Sequence, residues 1–155
     1  MPWIPSNSDA RLPRSAILGG RDEHGNSIYI GRAWVNGELV PCNVIPAKKS
    51  AIAIALAGSI EVVEDYEVLC GDVYSWKKAR MGDVPGAALI AGRSKGGEEL
   101  YIGRAVHEGG LFPGVIQPSQ KNLRIAFENE VIQYEEYDVL TIKACDKSCA
   151  SCNIL

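Results

Sequence analysis

Tyr29-Ile30-Gly31-Arg32-Ala33 recurs as Tyr101-Ile102-Gly103-Arg104-Ala105, an offset of 72 residues. Around it, residues 16–46 align without a gap on residues 88–118. Ala16, Gly20, Arg21, Gly25, Gly37, Leu39, Pro41 and Pro46 are also kept in the second copy. Self-similarity at a fixed period marks a duplicated structural unit and restricts the chain to folds made of two like halves. Trp3 and Trp76 open the copies, and Tyr66-Glu67-Val68-Leu69 answers Tyr137-Asp138-Val139-Leu140 near their ends. Beyond Pro46 and Pro118, pairing Ile52, Ile54 and Leu56 with Leu123, Ile125 and Phe127 lowers the offset to 71. That places a one-residue loss between Pro118 and Leu123. The expected organisation is a first repeat over 1–72, a second over 73–142 and a cysteine-rich tail over 143–155. Two related surfaces suit binding better than a single catalytic centre.

The apolar patterning points to strands. Residues 51–57 alternate large and small apolar side chains, and 123–128 alternate apolar with mostly polar ones, the period of a strand. Residues 27–35, 99–106, 61–70 and 131–142 are rich in Ile, Val and Tyr. Gly-Gly, His-Gly-Asn and Asn-Gly-Glu punctuate them as turns. Sixteen glycines and eight prolines leave no room for an uninterrupted amphipathic helix of three turns. An all-β fold of short antiparallel strands is expected, in two pseudo-twofold-related halves. A unit of about 70 residues is marginal alone, so the halves should share a core or exchange strands.

Composition narrows the function. A net charge of −3 gives no electrostatic case for nucleic acid. No stretch approaches the roughly eighteen apolar residues of a membrane span, and the N-terminus lacks the basic start and apolar run of a signal peptide. The expected compartment is cytoplasmic. No cofactor, metal site or enzyme chemistry is expected. His24 and His107 occupy non-equivalent repeat positions, His107-Glu108 lacks the second histidine of a zinc protease motif, and Gly92–Gly97 lacks the Gly-Lys-Ser/Thr of a phosphate loop. Cys42 has no base nearby in sequence and reads as an inert thiol. Arg32 and Arg104, inside apolar strands of both copies, read as a structural pair spanning the halves.

A tryptophan, a proline ahead of a small-apolar run, Gly-Gly-x-Asp-x-x-Gly, Tyr-Ile-Gly-Arg-Ala, a Gly followed by Pro and a closing Tyr-Glu-Val-Leu follow one another here. In that order they resemble the DM-nine repeat family, over both copies and so nearly the whole chain. The resemblance implies an all-β fold and, as in the family's oyster lectins, a homodimer that recognises mannose and high-mannose glycans. Other members are pathogen-responsive or vesicle-associated. The family's sugar contacts, carried over, fall on Asp22 and Asn43 in the first copy and on Ser94 and Val115 in the second. Asn43 and Val115 stand where the family has lysine, and Ser94 where it has aspartate; Lys95 or Glu108 would have to compensate in the second copy. A carboxylate accepts two sugar hydroxyl protons in strong charge-assisted bonds, and an amide or amine donates back. Asp22 has a plainer reading as a turn residue bonded to its own backbone.

The tail offers three readings. Cys145-x-x-x-Cys149-x-x-Cys152 matches one iron–sulfur spacing but lacks a following α/β barrel. A zinc site would need a fourth ligand. Cys152-Asn153-Ile154-Leu155 fits a prenylation signal, with Cys145 and Cys149 placed for palmitoylation, and two lipid chains would hold the protein on a membrane face. Two functions are therefore carried forward: a mannose-type carbohydrate-binding protein, and a membrane-tethered scaffold or adaptor that has lost its sugar site.

Overall fold

In a computed structural model describing residues 2–143, each repeat builds the same seven strands. The first contributes β1 (Trp3–Asn7), β2 (Leu18–Arg21), β3 (Ser27–Val35), β4 (Glu38–Ile45), β5 (Ser50–Ile54), β6 (Ile60–Val63) and β7 (Asp65–Leu69). The second contributes β8 (Tyr74–Arg80), β9 (Gly92–Arg93), β10 (Glu99–His107), β11 (Gly110–Gln117), β12 (Asn122–Phe127), β13 (Glu130–Tyr134) and β14 (Glu136–Ile142). Every pairing is antiparallel. The expected all-β, twice-copied fold is what forms. The tail cysteines Cys145, Cys149 and Cys152 lie outside the described residues.

The repeated block is a long hairpin. Asn36-Gly37 joins β3 to β4 with φ of 52° and 79°, and Glu108-Gly109 joins β10 to β11 with 46° and 84°. Two consecutive left-handed residues match the twist of the flanking strands. Along its outer edge β3 pairs first with β2, at Ser27 and Tyr29, then with β7, at Gly31 and Arg32. β4 likewise divides its outer edge between β9 at Leu39 and β5 from Cys42 onward. Pro41 falls at that changeover, and Pro113 falls at its counterpart between Leu111, paired with Arg21, and Val115, paired with Arg124. A residue without an N–H removes no ladder bond where no strand lies opposite it.

These divided edges knit the halves together. β2 bridges from β3 of its own half to β11 of the other, and β9 bridges from β10 to β4, so β3-β2-β11-β10-β9-β4 closes into a ring. Gly20 and Gly92 stand at the two seams, where an added Cβ would lie 2.0 Å from Leu111 O and 1.9 Å from Leu39 O. All three apolar clusters draw on both halves: one joins Ile30 and Leu69 to Ile102 and Leu140, a second sets Leu100 and Val115 among first-repeat residues, and a third sets Ile28 and Ile45 among second-repeat residues. Arg32 stacks 4.2 Å over Trp3 and Arg104 stacks 4.0 Å over Trp76. Each then reaches across: Arg32 Nη1 donates to Ala91 O and Arg104 Nη1 to Gly19 O, at 3.5 and 3.0 Å. The arginine pair spans the halves as the repeat suggested.

One register expectation is corrected. Asn43 pairs with Ile52 and Val115 with Arg124, so the offset stays 72 through the turn after Pro118 and along β12. Ile60 and Val131, the partners of Ile54 and Ala126, differ by 71. The missing residue is therefore in the β12–β13 turn at Glu128-Asn129, not between Pro118 and Leu123. Large residues do not mark the inward face here: Ala51 and Ala53 are buried as completely as Leu123 and Ile125, their true counterparts.

Candidate functional site

Asp22 opens the turn between β2 and β3. Its backbone N–H donates to Asn26 O and its own carbonyl accepts from Gly25 N–H, with Gly25 at φ 83°. Its Oδ1 accepts from the backbone N–H groups of His24 and Asn26, both at 2.9 Å, and Oδ2 accepts from Asn26 Nδ2 at 2.9 Å. Lys48 Nζ, on the 3-10 turn Pro46–Lys48, lies 3.4 Å from Oδ2. The side chain is 3% exposed. Burial raises its pKa, but the bonds from Asn26, His24 and Lys48 outweigh that, and the carboxyl titrates below its ordinary range. Asp22 thus has the turn role that its position before a glycine-rich segment suggests.

Above Asp22 lies a cleft of about 90 Å³ between the halves, walled on one side by Asn43 and Lys48 and on the other by Phe127 and Glu128. Asn43 Nδ2 donates to Pro113 O at 2.9 Å, bracing one half against the other. The structure therefore brings Asp22 and Asn43 to one place and adds Lys48, a residue the sequence reading did not single out. A lysine five residues past Asn43 resembles any surface lysine until the 3-10 turn folds it back.

The second copy differs. Ser94 reproduces the turn, its Oγ accepting from Glu98 N–H at 3.0 Å. Val115, expected beside a second sugar, is 1% exposed and belongs to the core; it presents no surface to a ligand. Lys95 is exposed, donates its backbone N–H to Glu38 Oε2 and lays its Cε against Gly37 of the first half. Arg124 stands at the position of Ile52. It is 7% exposed, with Nη2 donating to Gln117 Oε1 at 2.8 Å and Nη1 to Leu56 O at 3.1 Å. Glu98 continues this network, accepting from Gln117 Nε2, Ser119 N and Ser119 Oγ at 3.0, 2.8 and 2.8 Å. Burial raises the Glu98 pKa, yet these bonds bring it below the usual range. A guanidinium occupies the place that the first half leaves as a cleft.

A profile of the DM9 repeat matches residues 1–54 and 22–134. The chain belongs to the DM9 repeat family. Among solved structures, this DM9 chain is similar to the nematode sperm cell motility protein MFP2B. The TM-score is 0.59 at 12% identity, over 99% of this chain and 48% of that one. The likeness is one of fold, and the DM9 chain spans about half the length of that protein. No curated protein matches the sequence.

Among the described residues no group of three His, Cys, Asp or Glu side chains is placed to hold a metal ion, and no helix is long and apolar enough to cross a membrane. Cys42 is 3% exposed and burial pushes its thiol far above the ordinary range, which removes the thiolate that a nucleophile requires.

Proposed function

We propose that this DM9 protein binds carbohydrate through one cleft, formed by Asp22, Asn43 and Lys48, which takes the edge of a terminal mannose-type hexose. The observation that carries the reading is the 3.4 Å approach of Lys48 Nζ to Asp22 Oδ2. It supplies an amine beside the carboxylate where Asn43 replaces the lysine expected from the family resemblance. A cleft of about 90 Å³ suits two vicinal hydroxyls and leaves the ring at the surface. Lys48 donates to the hydroxyl oxygens, and the Asn43 amide oxygen accepts a hydroxyl proton. The carboxylate acts mainly by holding Lys48 in place. Arg124 leaves the second half without an equivalent, so each chain carries one site, and a homodimer would present two such sites to mannose-containing glycans with the gain of avidity. Lipidation at Cys152, with Cys149 and Cys145 upstream, would keep the protein cytoplasmic and membrane-held. Recognition of pathogen glycans or of glycan-bearing vesicles fits such a module.

Titration of the full chain with methyl α-mannoside, followed by amide chemical shifts, tests the reading. Millimolar binding is expected for one weakly buried sugar edge. Lys48→Ala should weaken it at least about tenfold, since a lost charge-assisted bond is worth roughly 1.5–3 kcal/mol. No saturable shift around the Asp22 turn would sink it. The adaptor reading draws on Trp34, which is 71% exposed; large exposed aromatics anchor protein interfaces. A blank glycan array together with a protein partner lost on Trp34→Ala would favour it.

A further inference from the structure

After Arg32 pairs with Glu67, β7 parts from β3; after Arg104 pairs with Asp138, β14 parts from β10. Each parting opens a groove on the outer face of its half, of about 540 Å³ in the first and 670 Å³ in the second. The grooves are repeat equivalents, but their rims have diverged. The first has Arg32 against Asp65 and Glu67. The second has Arg104 against Glu136 and Asp138 and adds Lys78 and Arg80. Register fixes the comparison: Lys78 faces Asp138 as Pro5 faces Glu67, and Arg80 faces Glu136 as Asn7 faces Asp65. One cation meets two anions in the first groove; three meet two in the second.

A second change acts in the same direction. Arg32 Nε donates to Glu67 Oε1 at 2.8 Å. Asp138, one methylene shorter, leaves Arg104 Nε buried without a hydrogen-bond partner among the described residues. Burial pulls the Arg104 guanidinium below the ordinary arginine range, and the charge of Asp138 only partly offsets it. A buried donor without an acceptor is destabilising, so the second groove holds a cation that its own carboxylates under-serve. Beside it, Val106 is 71% exposed and Tyr134 lines the same wall.

We propose that the groove between β8, β10 and β14 binds an oxyanion, the carboxylate or phosphate of a small ligand. Lys78 and Arg80 hold it at the rim over Arg104, and the ligand's apolar part rests on Val106. The first groove, with its opposite balance of charge, does not share the property. Charge-assisted bonds of this kind weaken with salt.

The test uses the full chain labelled with ¹⁵N, titrated at fixed ionic strength with inorganic phosphate and, separately, with butyrate, a carboxylate that carries no sugar hydroxyls. Saturable shifts confined to β8, β10 and β14, with millimolar affinity, are expected, and the tighter ligand identifies the source of the oxyanion. Lys78→Ala with Arg80→Ala, both exposed positions on an edge strand, should weaken binding at least about tenfold, as two charge-assisted bonds are lost. Asp138→Glu restores the partner that Glu67 gives Arg32 and should weaken it several-fold without disturbing the fold. Lys48→Ala should leave it unchanged, which separates this groove from the mannose cleft. No saturable shift with either anion at concentrations of order 10 mM, or unchanged affinity in the Lys78/Arg80 or the Asp138 variant, overturns the proposal.

Discussion

Asp22 concentrates the most bonding in a single side chain of the candidate site, with three hydrogen bonds and a lysine on one buried carboxylate. Its pKa is depressed in the folded chain. A depressed carboxylate contributes stability above its unfolded pKa of about 4 and loses it as pH falls through the folded value. Asp22→Asn should therefore cost about 1–3 kcal/mol at pH 7, and the gap to the parent chain should close as pH is lowered below about 4. Glu98 is present in both proteins and cancels. Urea midpoints for the two chains at pH 7 and pH 3 check this; a gap that does not change with pH would show that the charge plays no part. The turn role of Asp22 was legible because aspartate before a glycine-rich segment has a local reason to bond its own backbone. Lys48, Glu98 and Arg124 were not legible. Their partners lie across turns or across the two halves, and none of the three is matched between the copies.

At the level of strands, the long β3 and β10 were readable from their Ile-Tyr-Val content, whereas their hairpin partners β4 and β11 were not. Pro41-Cys42 and Pro113-Gly114 look like breaks, and only the divided edge explains why a proline is harmless there. The residue loss was misplaced for a related reason. Matching large with large residues set Ile52 against Leu123, while the fold sets Ala51 there and turns Ile52 outward against the cleft. The seams bear a sharper test. A Cβ at Gly20 or Gly92 would collide with a backbone carbonyl of the opposite half, and backbone cannot rotate away as a side chain can. Gly20→Ala and Gly92→Ala should each destabilise by about 2–4 kcal/mol. Gly25→Ala meets open space but carries a φ of 83°, so its cost of roughly 1 kcal/mol is conformational. Equal losses at all three positions would show that the seams are not under steric constraint.

For the molecule as a whole, the ring of six strands draws three members from each half and the central cluster draws Ile30, Leu69, Ile102 and Leu140 from both. Fragments 1–72 and 73–142 should each lack a protected core alone and regain amide protection on mixing, as read by hydrogen exchange; the intact chain should unfold in one cooperative step. A fragment that folds by itself would contradict the shared ring. Duplication was fully legible in the repeated pentapeptide, but the closure was not, because β2 and β9 are only short segments built around glycine. Their glycines matter for the distance between backbones, which sequence does not display. The seam also has a consequence for the life of the chain in concentrated solution. Only Cys70 to Val73 link the end of β7 to the start of β8. If that link straightens, each half meets the same complementary edge on a neighbouring molecule, and two chains trade partners into an intertwined pair that keeps the contacts between the halves and gives up those of the link itself.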